Sequence, residues 1–239
     1  MMTEQLAPAR LPEGVRVYAI GDVHGCDDRL AALHDAVAAD LAARPAAHPL
    51  LIHLGDYIDR GPNSPAVLAR IARPPAGAPG LRVANLIGNH EDMLLRALRG
   101  GGREEAAHWL ANGGGETLRG WGLSWRDAPS VWEQGIPPEQ LGLLRGLVPV
   151  VAIGGYAFVH AGLRPGVALQ AQTREDLLWI REPFLSSDGP LAAVAVHGHT
   201  PERTPSLRPH RIGIDTGAVL GGALTCAVLE ADRVGFLQV

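Results

Sequence analysis

Three apolar runs stop at a glycine followed by a side chain rich in oxygen, and this repeated arrest constrains the fold more than any other feature. Residues 15–20 end at Gly21-Asp22, residues 50–54 at Gly55-Asp56 and residues 83–87 at Gly88-Asn89. Each run is short and rich in β-branched or leucine side chains, as expected of a buried strand. A helical pattern follows each one. Leu30, Leu33, Ala36, Val37 and Leu41 recur at helical spacing across residues 27–43. Residues 64–71 predict a second helix with Ser64 as its cap and Pro65 at its first turn. Residues 91–98 predict a third. Strand, loop and helix three times over predict an α/β sheet. In such sheets ligands sit beyond the carboxyl ends of the strands, where Asp22, Asp56 and Asn89 fall.

Strand-like runs resume at residues 148–153, 156–160, 193–197, 211–215, 225–230 and 234–239. The uncharged stretch 146–163 contains Pro149, Gly154-Gly155 and His160, so it predicts two strands about a turn and not a membrane helix. Residues 100–146 differ, with glycine-rich breaks and Trp109, Trp121, Trp125 and Trp132. They predict a helical insertion over the site within a single domain spanning 1–239, and the tryptophans read as its packing. The chain has 239 residues, enough to bury a core without staples. Its formal charge of −4 excludes a general electrostatic attraction to nucleic acid or anionic lipid. Phosphate recognition must then be local. Two cysteines, Cys26 and Cys226, imply no disulfide framework, and with an N-terminus lacking an apolar signal they point to the cytoplasm. Cys26 reads as a small buried hydrophobe.

Five stretches hold the chemistry: GDVHG (21–25), GDYIDRG (55–61), GNHE (88–91), VHAG (159–162) and HGHTP (197–201). Each offers oxygen or imidazole donors, which suit Mn, Fe, Zn or Ni better than a thiolate site does. A carboxylate has two oxygens and can bridge two ions, and a pair of ions about 3.5–4 Å apart can clamp a phosphate and activate a water. Any one of Asp22, Asp56 or Asn89 alone would read as a turn or cap residue. Their joint occurrence with His24, His90, His160 and His199 argues for a metal site.

In order and spacing these motifs resemble the phosphoprotein phosphatase branch of the calcineurin-like metallophosphoesterases, especially its small bacterial and phage members, from about residue 17 to about residue 230. The resemblance implies a central β-sandwich of two mixed sheets flanked by helices. It implies two metal ions, manganese first, with iron, zinc or nickel as alternatives. Asp22 and His24 would bind the first ion, Asp56 would bridge, and Asn89, His160 and His199 would complete the second. Arg60 and Arg181 resemble the arginines that grip phosphate, together with Asn89. His90 resembles the general acid, oriented by Asp59. The implied reaction is direct attack of an activated water on a phosphomonoester, most simply phosphoserine or phosphothreonine in a protein.

Three details refine this expectation. Many relatives in the wider superfamily end in Gly-His-x-His, but here Pro201 stands at the second histidine, which leaves the first ion fewer protein ligands. His197 shares a strand face with His199 and reads as a supporting group or a substrate contact. Symmetrical dinucleoside tetraphosphatases, the nearest rival enzymes, tend to show GDxxARG and GNHD, whereas this chain has Asp59 and Glu91. An inactive phospho-binding scaffold is the reading from another class. Asp215 and Thr216, in GIDTGAVLGG, resemble a loop near the site and equally a plain turn. His34, His48, His53, His108 and His210 read as structural or exposed.

Overall fold

In the computed structural model, which describes residues 3–100, 102–189 and 191–239, two mixed sheets face each other. The first contains β1 (Gln5–Leu6), β2 (Val15–Ile20), β3 (His48–His53), β4 (Arg82–Asn85), β10 (Thr225–Glu230) and β11 (Arg233–Gln238), in the order β1-β11-β10-β2-β3-β4. The second contains β5 (Val150–Ile153), β6 (Tyr156–Val159), β7 (Val194–His197), β8 (Ser206–Arg208) and β9 (Arg211–Gly213), in the order β5-β6-β7-β9-β8. The β2–β3–β4 and β6–β7–β9 neighbours are parallel, so their carboxyl ends gather on one edge of the sandwich. The short β1 and β8 carry no clear sequence signal.

Alternation along the strands explains the layering. Val17 and Ala19 of β2, with Ala227 and Leu229 of β10, meet Tyr156 and Phe158 of β6 between the sheets. Tyr18 and Ile20, with Cys226 and Val228, point the other way, beneath α1 (Asp27–Ala43), α2 (Ser64–Ile71) and α3 (Asn89–Leu98). Ala157 and Val159 of β6 face outward onto Leu177 and Phe184. One-residue alternation thus assigns each strand side chain to one of the two apolar layers that flank its sheet, three layers in all.

The strand and helix expectations hold within a residue or two, with one local correction. Asn63, not Ser64, caps α2: its side chain accepts from the Ala66 N–H at 3.3 Å. Ser64 is drawn inward, where its Oγ meets the Asp59 N–H at 3.1 Å and Thr117 Oγ1 at 3.0 Å. Residues 102–145 carry α4 (Gly102–Trp109), a π-turn over Leu110–Gly114, α5 (Gly115–Gly120), α6 (Pro129–Gly135) and α7 (Pro138–Arg145). Trp109 and Trp132 are buried there with ring centroids 5.6 Å apart, whereas Trp125 is exposed. A further helix, α8 (Arg174–Trp179), starts after Thr173, whose side chain caps it by accepting from the Asp176 N–H.

Beneath α1 lies a buried polar chain. Asn85 Nδ2 donates to Ile71 O at 3.0 Å, which turns Asn85 Oδ1 toward His53 Nδ1 at 2.8 Å. His53 Nε2 then meets His34 Nε2 at 2.9 Å. The amide orientation dictates the tautomers: His53 donates through Nδ1 and accepts at Nε2 from His34. Burial pulls His34 down to about 4 and His53 down to about 3.

Candidate metal centre

The five motif loops converge where the parallel strands end. Asp22 follows β2, Asp56 follows β3, Asn89 opens α3, His160 follows β6 and His199 follows β7. Their backbones are unusual. His24 (φ 43°), Asp56 (φ 52°), Asp59 (φ 73°), Arg60 (φ 67°) and His199 (φ 65°) all occupy the left-handed region. Such a residue costs on the order of 1–3 kcal/mol and persists only where its surroundings over-determine it. For Asp56 the determinant is Glu91. Its buried carboxylate accepts from the N–H groups of Asp56 (2.9 Å), Tyr57 (2.8 Å), Ile58 (3.2 Å) and Gly88 (2.9 Å), pinning the 55–59 loop to the start of α3. Two glycines allow close approach: a Cβ at Gly88 would strike Asp56 Oδ1, and one at Gly198 would strike Asp22 Oδ1.

Two clusters share Asp56. His24, Asp56 and His90 form one, and Asp56, His160 and His199 form the other, with the ligand atoms of each group within 4.8 Å of one another. Asp56 Oδ2 lies 3.5 Å from His24 Nε2, and Oδ1 lies 3.4 Å from His160 Nε2. Asn89 Oδ1 sits 2.9 Å from His160 Nε2 and 3.0 Å from His199 Nδ1. Asp22 lines the same cavity but stands outside both clusters, with its two oxygens each 3.1 Å from the His199 N–H. The imidazole tautomers follow from second contacts. His24 Nδ1 meets Ile58 O at 2.8 Å and His160 Nδ1 meets Leu54 O at 3.0 Å, so each donates there and turns an Nε2 lone pair inward. The His160 lone pair therefore faces the lone pairs of Asn89 Oδ1, an arrangement that repels unless a cation lies against both.

The electrostatics agree. Burial, then Asp215 and Asp56, hold the Asp22 carboxyl well above its ordinary range, and burial and Glu91 do the same to Asp56. Burial pulls His160 down to about 3 and His199 down to about 2, and His24 well below its usual value, so these imidazoles are neutral and free to ligate. Buried carboxyls held above their ordinary range, beside neutral imidazoles with inward lone pairs, fit divalent ions. The nitrogen and oxygen donor set admits several first-row metals.

A second arrangement adjoins the clusters. His90 Nδ1 lies 2.7 Å from Asp59 Oδ2, both buried, and His90 Nε2 points toward Asp56 Oδ2 at 4.0 Å with no hydrogen-bond partner among the described residues. Burial raises Asp59 to about 7 and lowers His90 to about 3. The cavity over these groups, about 270 Å³, is lined by Arg60, Arg181, Asn112, Trp179 and the loop Gly217–Leu220 besides the predicted ligands other than His160, which lies beneath it. Arg60 Nη1 lies 2.9 Å from His24 Nε2, and Arg181 Nη2 reaches His199 O at 3.5 Å. Asp215 also lines the cavity while accepting from the Gly217 N–H at 2.9 Å, so it is both a turn residue and a site residue. His197 does not face the cavity. Its ring packs on Phe184 at 4.9 Å between centroids, and Nδ1 meets Gly198 O at 3.0 Å.

The model of the calcineurin-like phosphoesterases matches residues 15–231, which includes every loop of this site. The chain belongs to that family. Calcineurin-like phosphoesterases are metal-using hydrolases, and the His and Asp clusters of this chain have the ligand spacing to hold metal ions. Serine/threonine-protein phosphatase 1 of Salmonella typhimurium is 31% identical over 225 residues, spanning 90% of this chain and 92% of that protein. The asymmetrical bis(5'-nucleosyl)-tetraphosphatase PrpE of Halalkalibacterium halodurans is 29% identical over 241 residues, with 92% of each covered. The solved structure of a cold-active protein-tyrosine phosphatase from a psychrophilic Shewanella superposes with a TM-score of 0.60 at 17% identity, over 94% of this chain and 80% of that one, a likeness of fold. The α/β sandwich expected from sequence is the fold observed. The residues that sequence reasoning missed are Glu91 as loop anchor, Trp179 and Asn112 as cavity walls, and the partners of Asp59 taken up below.

Proposed function

We propose that this calcineurin-like phosphoesterase is a binuclear phosphatase of phosphomonoesters, with phosphoserine and phosphothreonine in proteins as its substrates. In this reading Asp22, His24 and Asp56 hold one ion, and Asp56, Asn89, His160 and His199 hold the other, with manganese the expected metal. Bound there, the ions would clamp the phosphoryl oxygens and make a water acidic enough to attack near neutral pH. Arg60, Arg181 and Asn89 bind phosphate oxygens through cationic and amide donors on the cavity wall. The helices of residues 102–145 are an insertion in a single domain, and the cytoplasm, with two free buried cysteines, is the compartment.

The observation that carries this reading is the buried Asp59–His90 pair. With two protons the pair is neutral overall, whether written as carboxylate and imidazolium or as acid and imidazole. With one proton it is an anion. Burial penalises the anion, so the pair retains both protons toward neutral pH, in line with an Asp59 raised to about 7. Either form leaves a proton on Nε2, aimed into the cavity, ready for a departing alkoxide. The symmetrical tetraphosphatases are expected to lack an aspartate at this position, and the likeness to the Salmonella phosphatase supports the same substrate class. The likeness to PrpE keeps a dinucleoside tetraphosphate as the second reading.

The test is a panel on manganese-loaded protein, with a phosphoserine peptide and diadenosine tetraphosphate side by side, beside Asp56→Asn and His90→Asn. The peptide should be turned over at least tenfold more efficiently. A tenfold preference for the dinucleotide reverses the substrate assignment. Turnover by the parent no greater than that of the two variants rejects enzymatic function in favour of a phospho-binding scaffold.

A further inference from the structure

Asp59 is more than a partner for His90. Its carboxylate receives two further donors, both from the helices beyond residue 100. Trp109 Nε1 donates to Oδ2 at 2.8 Å, the oxygen that also meets His90, and Thr117 Oγ1 donates to Oδ1 at 2.7 Å. Thr117 Oγ1 in turn accepts the Asp59 N–H at 2.8 Å. One hydroxyl thus ties the backbone and the side chain of the same residue, at a position whose φ is 73°. Asp59, Trp109 and Thr117 are each fully buried. Trp109 is itself wedged: its indole packs on Trp132, and a Cβ at Gly114 would collide with its ring. The Arg60 N–H meets Gly113 O at 3.3 Å, so the same segment holds the neighbouring residue too.

We propose that Trp109 and Thr117 are positioning residues for the proton donor. They saturate Asp59 so that its carboxylate cannot rotate away from His90 Nδ1, and this fixes the aim of Nε2 into the cavity. This rests on His90 being the general acid. Both bonds are well formed and buried, so losing a donor strands a buried carboxyl oxygen, which is costly. Trp109 and Thr117 do not line the cavity and both bond Asp59, so their effect on the leaving group passes through Asp59. That makes it selective. An alkoxide must take up a proton as it departs, whereas p-nitrophenolate leaves unaided.

The experiment measures kcat of the manganese-loaded full-length protein on a phosphoserine peptide and on p-nitrophenyl phosphate, for the parent, Trp109→Phe, Thr117→Val, Thr117→Ser and His90→Asn. Trp109→Phe keeps the aromatic wedge and removes the N–H. Thr117→Val keeps the shape and removes the hydroxyl, and Thr117→Ser restores it. Trp109→Phe and Thr117→Val should each lose about tenfold or more on the peptide and at least fivefold less on p-nitrophenyl phosphate, with KM nearly constant. Thr117→Ser should recover at least half of the peptide activity. If His90→Asn discriminates between the substrates while Trp109→Phe and Thr117→Val lower both equally or neither, the positioning role is wrong and the acid assignment stands. If His90→Asn itself fails to discriminate, the acid assignment fails and this inference with it.

Discussion

The buried chain His34–His53–Asn85 gives the fold a calculable weakness toward acid. Both imidazoles are neutral when folded, and their lone pairs and protons are already assigned by Asn85. Protonating His53 at Nε2 would set one N–H against another. In the unfolded chain both titrate near 6.5. Because the folded values lie lower, at about 4 and about 3, the pair's contribution is fully present above 6.5 and is lost as pH falls toward those values. Each histidine then costs about 1.4 kcal/mol per pH unit below 6.5. Between pH 7.5 and pH 5 the two together remove about 4 kcal/mol, a large part of an ordinary folding free energy. Other buried histidines titrate too, so the measurement must be a difference. Urea unfolding of the parent and of a His34→Leu/His53→Leu double variant, both with chelator, should show a gap that changes by about 3–4 kcal/mol in the variant's favour from pH 7.5 to pH 5. Any cost of stranding Asn85 Oδ1 is independent of pH and cancels. A gap constant to within about 1 kcal/mol across that range would refute the reasoning.

Other consequences are quickly tested. Gly198→Ala drives a Cβ into Asp22 Oδ1, so manganese affinity by titration calorimetry should fall at least tenfold with little change in secondary structure by circular dichroism. Saturating manganese should raise the melting temperature of chelator-treated protein by roughly 5–11 °C at a hundredfold excess over Kd, and Asp56→Asn should abolish most of that rise. Asn63→Ala, which removes the α2 cap, should cost about 1 kcal/mol by urea unfolding without affecting turnover.

What was legible in the sequence was what alternates or repeats. Strands β2 and β3 and their loops could be read because a short apolar run arrested at Gly-Asp is a local signal, and the motif resemblance singled out Asp22, Asp56, Asn89, His160 and His199. Contacts made between distant segments could not be read. Trp109 lies 50 residues from Asp59 and Thr117 lies 58, and nothing in the composition around either announces a bond to a buried carboxylate. The tryptophans read as packing, which Trp109 and Trp132 do provide, but the indole N–H of Trp109 has a second task. Ser64 illustrates the opposite error. Its place before Pro65 fits a cap, yet the hydroxyl is more valuable inside, beside Asp59 and Thr117, and Asn63 takes over the exposed end of the helix. The position of Asp22, set against the His199 N–H outside both clusters, depends on how the two sheets meet and has no local sequence correlate.

That meeting of sheets has a consequence for taking the molecule apart. Asp22, His24, Asp56 and Asn89 hang from one sheet, and His160 and His199 from the other. Neither sheet carries the whole candidate metal centre. A backbone nick in the helices of residues 102–145 would put the first four of these residues on one piece and the two histidines on the other, and because β10 and β11 stay with the second piece the first sheet itself would be split, so hydrolysis would return only when β2 and β10 pair again.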